Sequence, residues 1–461
     1  MECLAVIPLY VKMDSLEAYN EKKNRLILEL KNSYGNIGLG KSSSNLFRSR
    51  NQKNTSKINV RCFNKVINID AENLVAEVEG MTTYEDLVNE TLKFGLMPTV
   101  VPELKSITIG GAASGVGIES SSFKYGLVHE TIQEIDVLLS SGDVITCTKN
   151  NKFKDLFFAF PNSYGTFGYA LKVKVKLVPV KKYVKLNHIL YDNAKDYFKD
   201  LDKICGKKEY DFVDGTVFNE NEMYITLGKF VDEATFVSNY KYMIIYYKSI
   251  RDKKEDYLTT LDYIWRWDPD WFWCSSHFLV QNPIIRFILG KFCLKSTFYW
   301  KLMSFSRKYK IAETLDKFLP KKKYIESVIQ DVEIPINNCE KFIDFFHKNI
   351  GIKPIWICPL KVYDKKYKYD LYLMDPSKLY INFGFWDTVT MKNSFEDGHF
   401  NKLIERKVKG VNGKKSLYST SYYDEKEFWE LYNKKVYEGL KRKYDPLGKF
   451  KNLYQKCVKK E

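Results

Sequence analysis

The sequence predicts an α+β chain in two parts, and three observations carry that expectation. Short alternating runs of strand character fill residues 1–180, four glycines crowd into Gly110–Gly117, and from about residue 181 the chain becomes lysine-rich, aromatic and more helical. Length agrees: 461 residues, at roughly 100–200 per domain, allow two to four domains and a sizeable core. Hydrophobic residues at 45% and charged residues at 28% match an ordinary globular chain and exclude a disordered or fibrous one.

Elements follow from the patterning. Leu74–Glu79 alternates apolar and acidic residues and reads as a strand. Thr82–Gly95 reads as a helix: Thr82 and Thr83 with Glu85 and Asp86 supply capping-box chemistry, Tyr84, Leu87, Val88, Thr91 and Leu92 share one face, and Gly95 and Pro98 end it. Glu134–Leu139 and Val144–Cys147 flank Ser140, Ser141, Gly142 and Asp143 as a hairpin. Leu171, Val173, Val175 and Leu177 alternate with Lys172, Lys174 and Lys176, a strand with one wet face. Past residue 181, Trp300–Phe318 and Glu425–Tyr444 read as long helices. Asp262–Cys274 holds four tryptophans in nine residues, Trp265, Trp267, Trp271 and Trp273.

Several function classes drop out. Nine cysteines form no C-x-x-C pair, so neither a zinc ribbon nor a disulfide framework is implied, and a reducing, intracellular compartment is expected. Five histidines without an H-x-x-x-H pattern leave no metal site to expect. No apolar run reaches about 18 residues, so no transmembrane helix is expected, and the opening Met1–Pro8 lacks the basic start of a signal peptide. The net charge of +16 comes mostly from lysines interleaved with acids. Solvated lysine faces explain it, with attraction to an anionic membrane surface as the functional alternative. No nucleic-acid module is present, and no nucleic-acid partner is expected.

The glycine cluster carries the chemistry. Gly110, Gly111, Gly115 and Gly117, interspersed with Ala112, Ala113 and Ser114, strip side-chain bulk from the whole stretch, and Ser120, Ser121 and Ser122 follow with hydroxyls. Such a segment reads as a loop that lets backbone approach a ligand and offers amides to an anion, phosphate above all. A tight turn needs one or two glycines. The spacing is neither G-x-x-x-x-G-K-[ST] nor G-x-G-x-x-G, and Pro98 and Pro102 disturb a strand–turn–helix unit. A nucleotide cofactor on a different fold fits better. Ser163 is not in G-x-S-x-G, so no hydrolase elbow is present.

These residues carry a resemblance. PTVVPELKSITIGGAASGVGIESSSFKYG (Pro98–Gly126) resembles the core flavin-binding segment of the vanillyl-alcohol-oxidase (PCMH-type) FAD proteins, and within them is most similar to the delta-24-sterol reductase family. NSYGTFG (Asn162–Gly168), the close from Glu427–Trp429 to YDPLGKF (Tyr444–Phe450), and the stretches Gln281–Arg286 and Lys353–Pro359 are similar to the same proteins; together the likeness runs from about Lys41 onward. It implies a two-subdomain FAD-binding domain over residues 1–180 and an α+β cap, or substrate, domain over 181–461, with about 420–461 returning toward the FAD domain. Thr108, Ile109, Gly110, Gly111, Ala112, Ala113, Ser114, Gly115, Val116, Gly117, Ile118, Glu119 and Ser120 would hold FAD. Lys41, Ser42, Ser43 and Asn45 fall where the family's first pyrophosphate loop lies, and Gly165, Thr166 and Gly168 belong to the second glycine signature. Gly38–Ser42 is close to the superfamily's G-x-G-x-S core, although an unusual serine run follows it. The membrane anchor of the animal enzymes has no counterpart in the short N-terminal stretch, which leaves a cytoplasmic or peripherally membrane-associated protein as the expectation.

The resemblance implies reduction of a carbon–carbon double bond of a sterol, at its delta-24 position, or of a similar lipid, with NADPH as electron donor. Because no histidine precedes His129 and Met97 stands where an attaching cysteine would, FAD is expected to be non-covalent. Tyr422, Tyr423, His277, Lys124 and Glu119 are the candidate proton donors, each better explained by packing or pairing, so no catalytic acid is assigned. Three readings stay open beside the first: a reductase of methylene-branched fatty acyl lipids, an FAD-dependent alcohol or sugar oxidase, and a basic membrane- or nucleic-acid-binding scaffold. The aromatic, basic stretch 262–310 fits core packing, or a lipid-facing cap.

Overall fold

The computed structural model describes residues 12–31, 35–41, 47–48, 55–308 and 324–459. It is a mixed α/β structure. Helix α1 (Lys12–Lys31) precedes a parallel pair, β1 (Asn36–Gly40) and β2 (Thr55–Asn59). An antiparallel sheet follows, built from β3 (Val66–Asp70), β4 (Val75–Glu79), β5 (Leu96–Pro98), β6 (Ile132–Leu138), β7 (Val144–Thr148) and β8 (Tyr169–Pro179), in the order β3-β4-β8-β6-β7 with β5 also paired to β8. Helix α2 (Tyr84–Leu92) starts where the threonines demanded: the Thr83 side chain accepts from Asp86 N, and Tyr84, Leu87, Val88 and Thr91 are buried.

Strand β9 opens at Tyr183, four residues beyond the end of β8, and belongs to a different sheet. That sheet also holds β10 (Phe212–Asn219), β11 (Glu222–Val231), β12 (Glu255–Thr259), β13 (Tyr324–Pro335), β14 (Ile355–Leu360), β15 (Tyr380–Met391) and the short β16 (Lys414–Lys415), with β9 ending at Tyr191. Their order is β12-β9-β11-β10-β14-β15-β13-β16. One core joins both sheets, running from Val173 and Phe167 to Trp267, Trp356 and Trp386; a second, with Phe342, Phe346 and Phe383, lies under the helices Ala194–Lys207 and Cys339–Asn349.

Four expectations change. The lysine side of β8 is not plainly wet: Lys172 Nζ lies 3.3 Å from Glu134 and 3.7 Å from Asp136, and Tyr19 of α1 donates to Asp136 at 2.8 Å. Carboxylates on both neighbouring strands, Glu77 on β4 and Glu134 and Asp136 on β6, neutralise Lys172, so Tyr19 of α1 can cover it. The helix expected over Trp300–Phe318 runs Ser296–Lys308, and 309–318 lies outside the described residues. The one expected over Glu425–Tyr444 is two, Glu425–Leu431 and Lys434–Tyr444, because Asn433 takes a left-handed φ of 54°. Finally, the glycine stretch is not a loop throughout: Ile109–Ser114 is a helical turn, α3, capped by Thr108.

Candidate active site

Both sheets and the C-terminal segment contribute to a cavity of about 450 Å³, within the range that holds organic ligands. Part of its lining is almost bare backbone: Gly38, Gly80, Gly110, Gly111, Gly115, Gly117, Gly165 and Gly168. Local chemistry sets this part. Thr108 Oγ1 accepts from Gly111 N at 3.3 Å, Ile109 N donates to Thr82 O, and Gly110 N donates to Gly80 O at 2.9 Å. A Cβ on Gly110 would stand 2.6 Å from that same carbonyl oxygen, so this glycine lets α3 seat on the end of β4. The first amides of α3 are therefore spent inside the protein rather than offered to an anion, as the sequence reading had them. The second glycine signature docks on the first: Tyr164 N donates to Ser114 O at 2.9 Å and Asn162 N to Gly115 O at 3.2 Å. Gly165, at φ 75°, holds the left-handed position of that turn.

Cations surround this backbone. Lys41, Arg48, Lys57, Lys451 and Lys456 line the cavity. Arg48 Nη1 donates to Leu417 O at 2.8 Å, whereas its Nε is buried and has no partner among the described residues. Lys456 Nζ donates to Tyr164 O at 2.5 Å and Lys441 Nζ to Thr166 O at 2.7 Å, which ties the C-terminal helices to the glycine turn.

The rest of the lining is aromatic: Phe47, Trp271, Phe272, Trp300, Trp356, Trp386 and Tyr418. Phe272 packs on Trp386 with ring centroids 4.2 Å apart and on Trp356 at 5.8 Å. Trp386 Nε1 donates to Tyr418 Oη at 2.8 Å. Tyr418 bonds Asp331 in turn, and Asn382 Nδ2 donates to Asp331 Oδ1 at 2.9 Å. Burial pushes the Asp331 carboxyl up to about 6 despite those two donors. The tryptophan-rich stretch is thus shared, Trp271 and Phe272 facing the cavity while Trp265, Trp267 and Trp273 pack in the core.

A buried ion cluster meets the cavity at Glu103. Arg266, fully buried, places Nη2 at 2.7 Å from Asp214, 3.0 Å from Glu119 and 3.4 Å from Glu103. Ser120 Oγ donates to Glu119 at 2.7 Å and Trp356 Nε1 to Asp214 at 3.4 Å. Three carboxyls share one guanidinium, so full ionisation would leave two uncompensated charges away from water. Burial, then the neighbouring Glu119, hold the Glu103 carboxyl well above the usual range, against the pull of Arg266. Glu103 is the member of the cluster that lines the cavity.

The residues named from sequence separate into three groups. Lys41, Thr108, Gly110, Gly111, Ala112, Ser114, Gly115, Val116, Gly117, Ile118, Gly165 and Gly168 line the cavity. Ile109 and Ala113 are buried core beneath α3, Thr166 bonds Ser163 O, and Glu119 and Ser120 belong to the Arg266 cluster behind it. Ser42, Ser43 and Asn45 lie outside the described residues. None of the four side chains first considered as proton donors besides Glu119 reaches the lining. Lys124 pairs with Asp211 at 3.1 Å, His277 Nε2 lies 3.3 Å from Asp387, Tyr422 packs beside Gly398, and Tyr423 is buried next to Tyr432. Asp331 and Glu103 had no role assigned from sequence, whereas Trp271, Phe272 and Trp300 fall in the aromatic stretch 262–310 that was read as core packing or a lipid-facing cap.

The donor set fits FAD: a backbone cradle that side chains would fill, five cations, and an unsatisfied buried Arg48 Nε. Comparison with known proteins agrees. Residues 37–148 match the family model for an FAD binding domain. The human Delta(24)-sterol reductase is 28% identical over 418 residues, covering 86% of this chain and 76% of that protein. The pea Delta(24)-sterol reductase is 25% identical, covering 97% and 83%. A rice protein, Cytokinin dehydrogenase 7, is 31% identical over 142 residues, or 30% and 27% of the two chains. The chain is an FAD-dependent oxidoreductase that carries an FAD binding domain over residues 37–148 and is similar along most of its length to Delta(24)-sterol reductases.

Proposed function

We propose that this protein reduces a carbon–carbon double bond of a sterol, or of a similar apolar lipid, with NADPH as the electron donor and FAD held without a covalent bond. The observation that carries the reading is one cavity that joins a glycine cradle to an aromatic lining and presents an acid, Glu103, whose carboxyl burial and Glu119 hold above the usual range. Large rigid rings suit a flat apolar substrate, and the relatives are named Delta(24)-sterol reductases.

FAD, when bound, would supply hydride chemistry, with NADPH as the proposed source of the two electrons. The chain's residues supply the remaining requirements. Lys41, Arg48 and Lys57 would neutralise the cofactor's phosphates, with Gly111 and Gly115 allowing close approach. The aromatic rings would exclude water and hold the alkene. Glu103 would give its proton to one alkene carbon as hydride reaches the other, so that the new C–H bonds take one hydride and one proton. Left ionised beside Glu119 and Asp214, Glu103 then takes a proton back from solvent. Attachment through the cavity's cysteine, Cys274, is disfavoured because burial lifts its thiol to about 12 and removes the thiolate.

An anaerobic absorption spectrum tests the reading. Flavin bands that NADPH bleaches, and that an unsaturated sterol restores with a gain of two hydrogens in the product, are expected. Flavin that NADPH leaves oxidised, with peroxide released on an alcohol, would replace reductase by oxidase; turnover of a methylene-branched acyl lipid alone would move the substrate class. Acid precipitation should leave the pellet colourless.

A further inference from the structure

The helical segment Pro283–Cys293, broken at Gly290 (φ 66°), turns its apolar residues outward. Ile284, Phe287, Ile288 and Phe292 are 71, 70, 75 and 77% exposed, and Arg286 is its one buried side chain. Isolated exposed apolar residues need no explanation, but a contiguous set of large ones marks a contact surface. Its base is rigid: Arg286 forks onto Asp270 at 2.5 and 3.1 Å and also donates to Tyr242 O, while Tyr242 Oη donates to Phe287 O at 3.0 Å. That bond brings exposed Met243 and Ile244 alongside. Charge is equally one-sided. From Trp271 to Lys308 the sequence contains no Asp or Glu, whereas Lys291, Lys295 and Lys301 are exposed. The face adjoins the cavity through Tyr299, which stacks on cavity-lining Trp271 at 5.5 Å, and through its neighbour Trp300.

We infer that this face docks on an anionic lipid bilayer, Phe287 and Phe292 entering the acyl region and Lys291, Lys295 and Lys301 meeting the headgroups. Apolar side chains framed by cations are what an anionic interface binds. A second copy of the chain fits poorly, because pairing two such faces opposes lysine with lysine and offers no acid from either segment. Docking there would set Trp300 and the cavity lining near the membrane.

Co-sedimentation with phosphatidylcholine vesicles, with and without phosphatidylserine, tests this without any substrate, so its failure is separate from failure of the reductase reading. Wild type should bind and prefer the anionic vesicles. The double variant Phe287→Glu/Phe292→Glu should lose roughly tenfold or more of its binding, with flavin absorbance unchanged as the check on folding. Lys291→Glu/Lys295→Glu should lose roughly fivefold per lysine on anionic vesicles only. Wild-type binding by the phenylalanine variant overturns the inference. So does a wild-type dimer in solution that this variant converts to monomer.

Discussion

The glycine-rich and aromatic parts of the cavity lining are built by opposite means. The first comes mostly from two short runs, within Thr108–Gly117 and Gly165–Gly168, and is made of absences: small residues that let main chain meet main chain. The second is assembled from side chains at 47, 271, 272, 300, 356, 386 and 418, of which 356 and 386 sit on strands of the larger sheet, 300 on a helix and the others on turns and loops. A cofactor shared by many relatives asks only for backbone access, whereas a particular substrate asks for shape. The difference teaches where each kind of change is felt. Alterations in the first part act through folding and cofactor retention, those in the second through chemistry and choice of substrate.

The sharpest way to break that comparison is Glu103→Gln. Removing the proton while keeping shape should lower kcat by about 10²–10⁴-fold, with flavin content unchanged; retained kcat in stopped-flow reoxidation would remove Glu103 from the mechanism. The same variant carries a stability signature. Because Glu103 is held above its unfolded value, its contribution is complete at low pH and is lost as pH rises through the folded value. Glu103→Gln should therefore flatten the fall of Tm on the alkaline side. Next in size comes Gly110→Ala, whose methyl would press on the Gly80 carbonyl; about 1–3 kcal/mol of destabilisation, together with weaker FAD retention, is expected by denaturant titration. The smallest effect belongs to Asp331→Asn. With the carboxyl pushed up to about 6, the wild-type kcat/KM profile should show a step near that pH which the variant lacks, while a variant that keeps the step assigns it elsewhere.

How much of this was legible follows the same divide. Strand β8, the β6–β7 hairpin and the cap of α2 rest on alternation, turn residues and Thr83, all local signals, and were readable. The break at Asn433 was not, since its flanks are both good helix formers and one left-handed residue separates them. In the site, the cluster Gly110–Gly117 announced a ligand, but Gly110 turned out to serve α3 packing and Gly111 and Gly115 the cavity. Glu103 could be seen only beside Arg266, 163 positions away. The candidates His277, Tyr422, Tyr423 and Lys124 failed for the same reason: residue type gives reactivity, whereas position relative to a cavity depends on long-range topology.

The C-terminal clasp has a consequence for how the molecule is made. Lys441 and Lys456 grip Thr166 and Tyr164 across 275 and 292 positions of sequence. At roughly 5–20 residues per second, the ribosome needs on the order of 15–60 s after the glycine turn emerges to deliver the residues that close it. Throughout that interval the carbonyls of Tyr164 and Thr166 wait for the lysines that will cap them, so the glycine turn reaches its final bonding only when synthesis is nearly done.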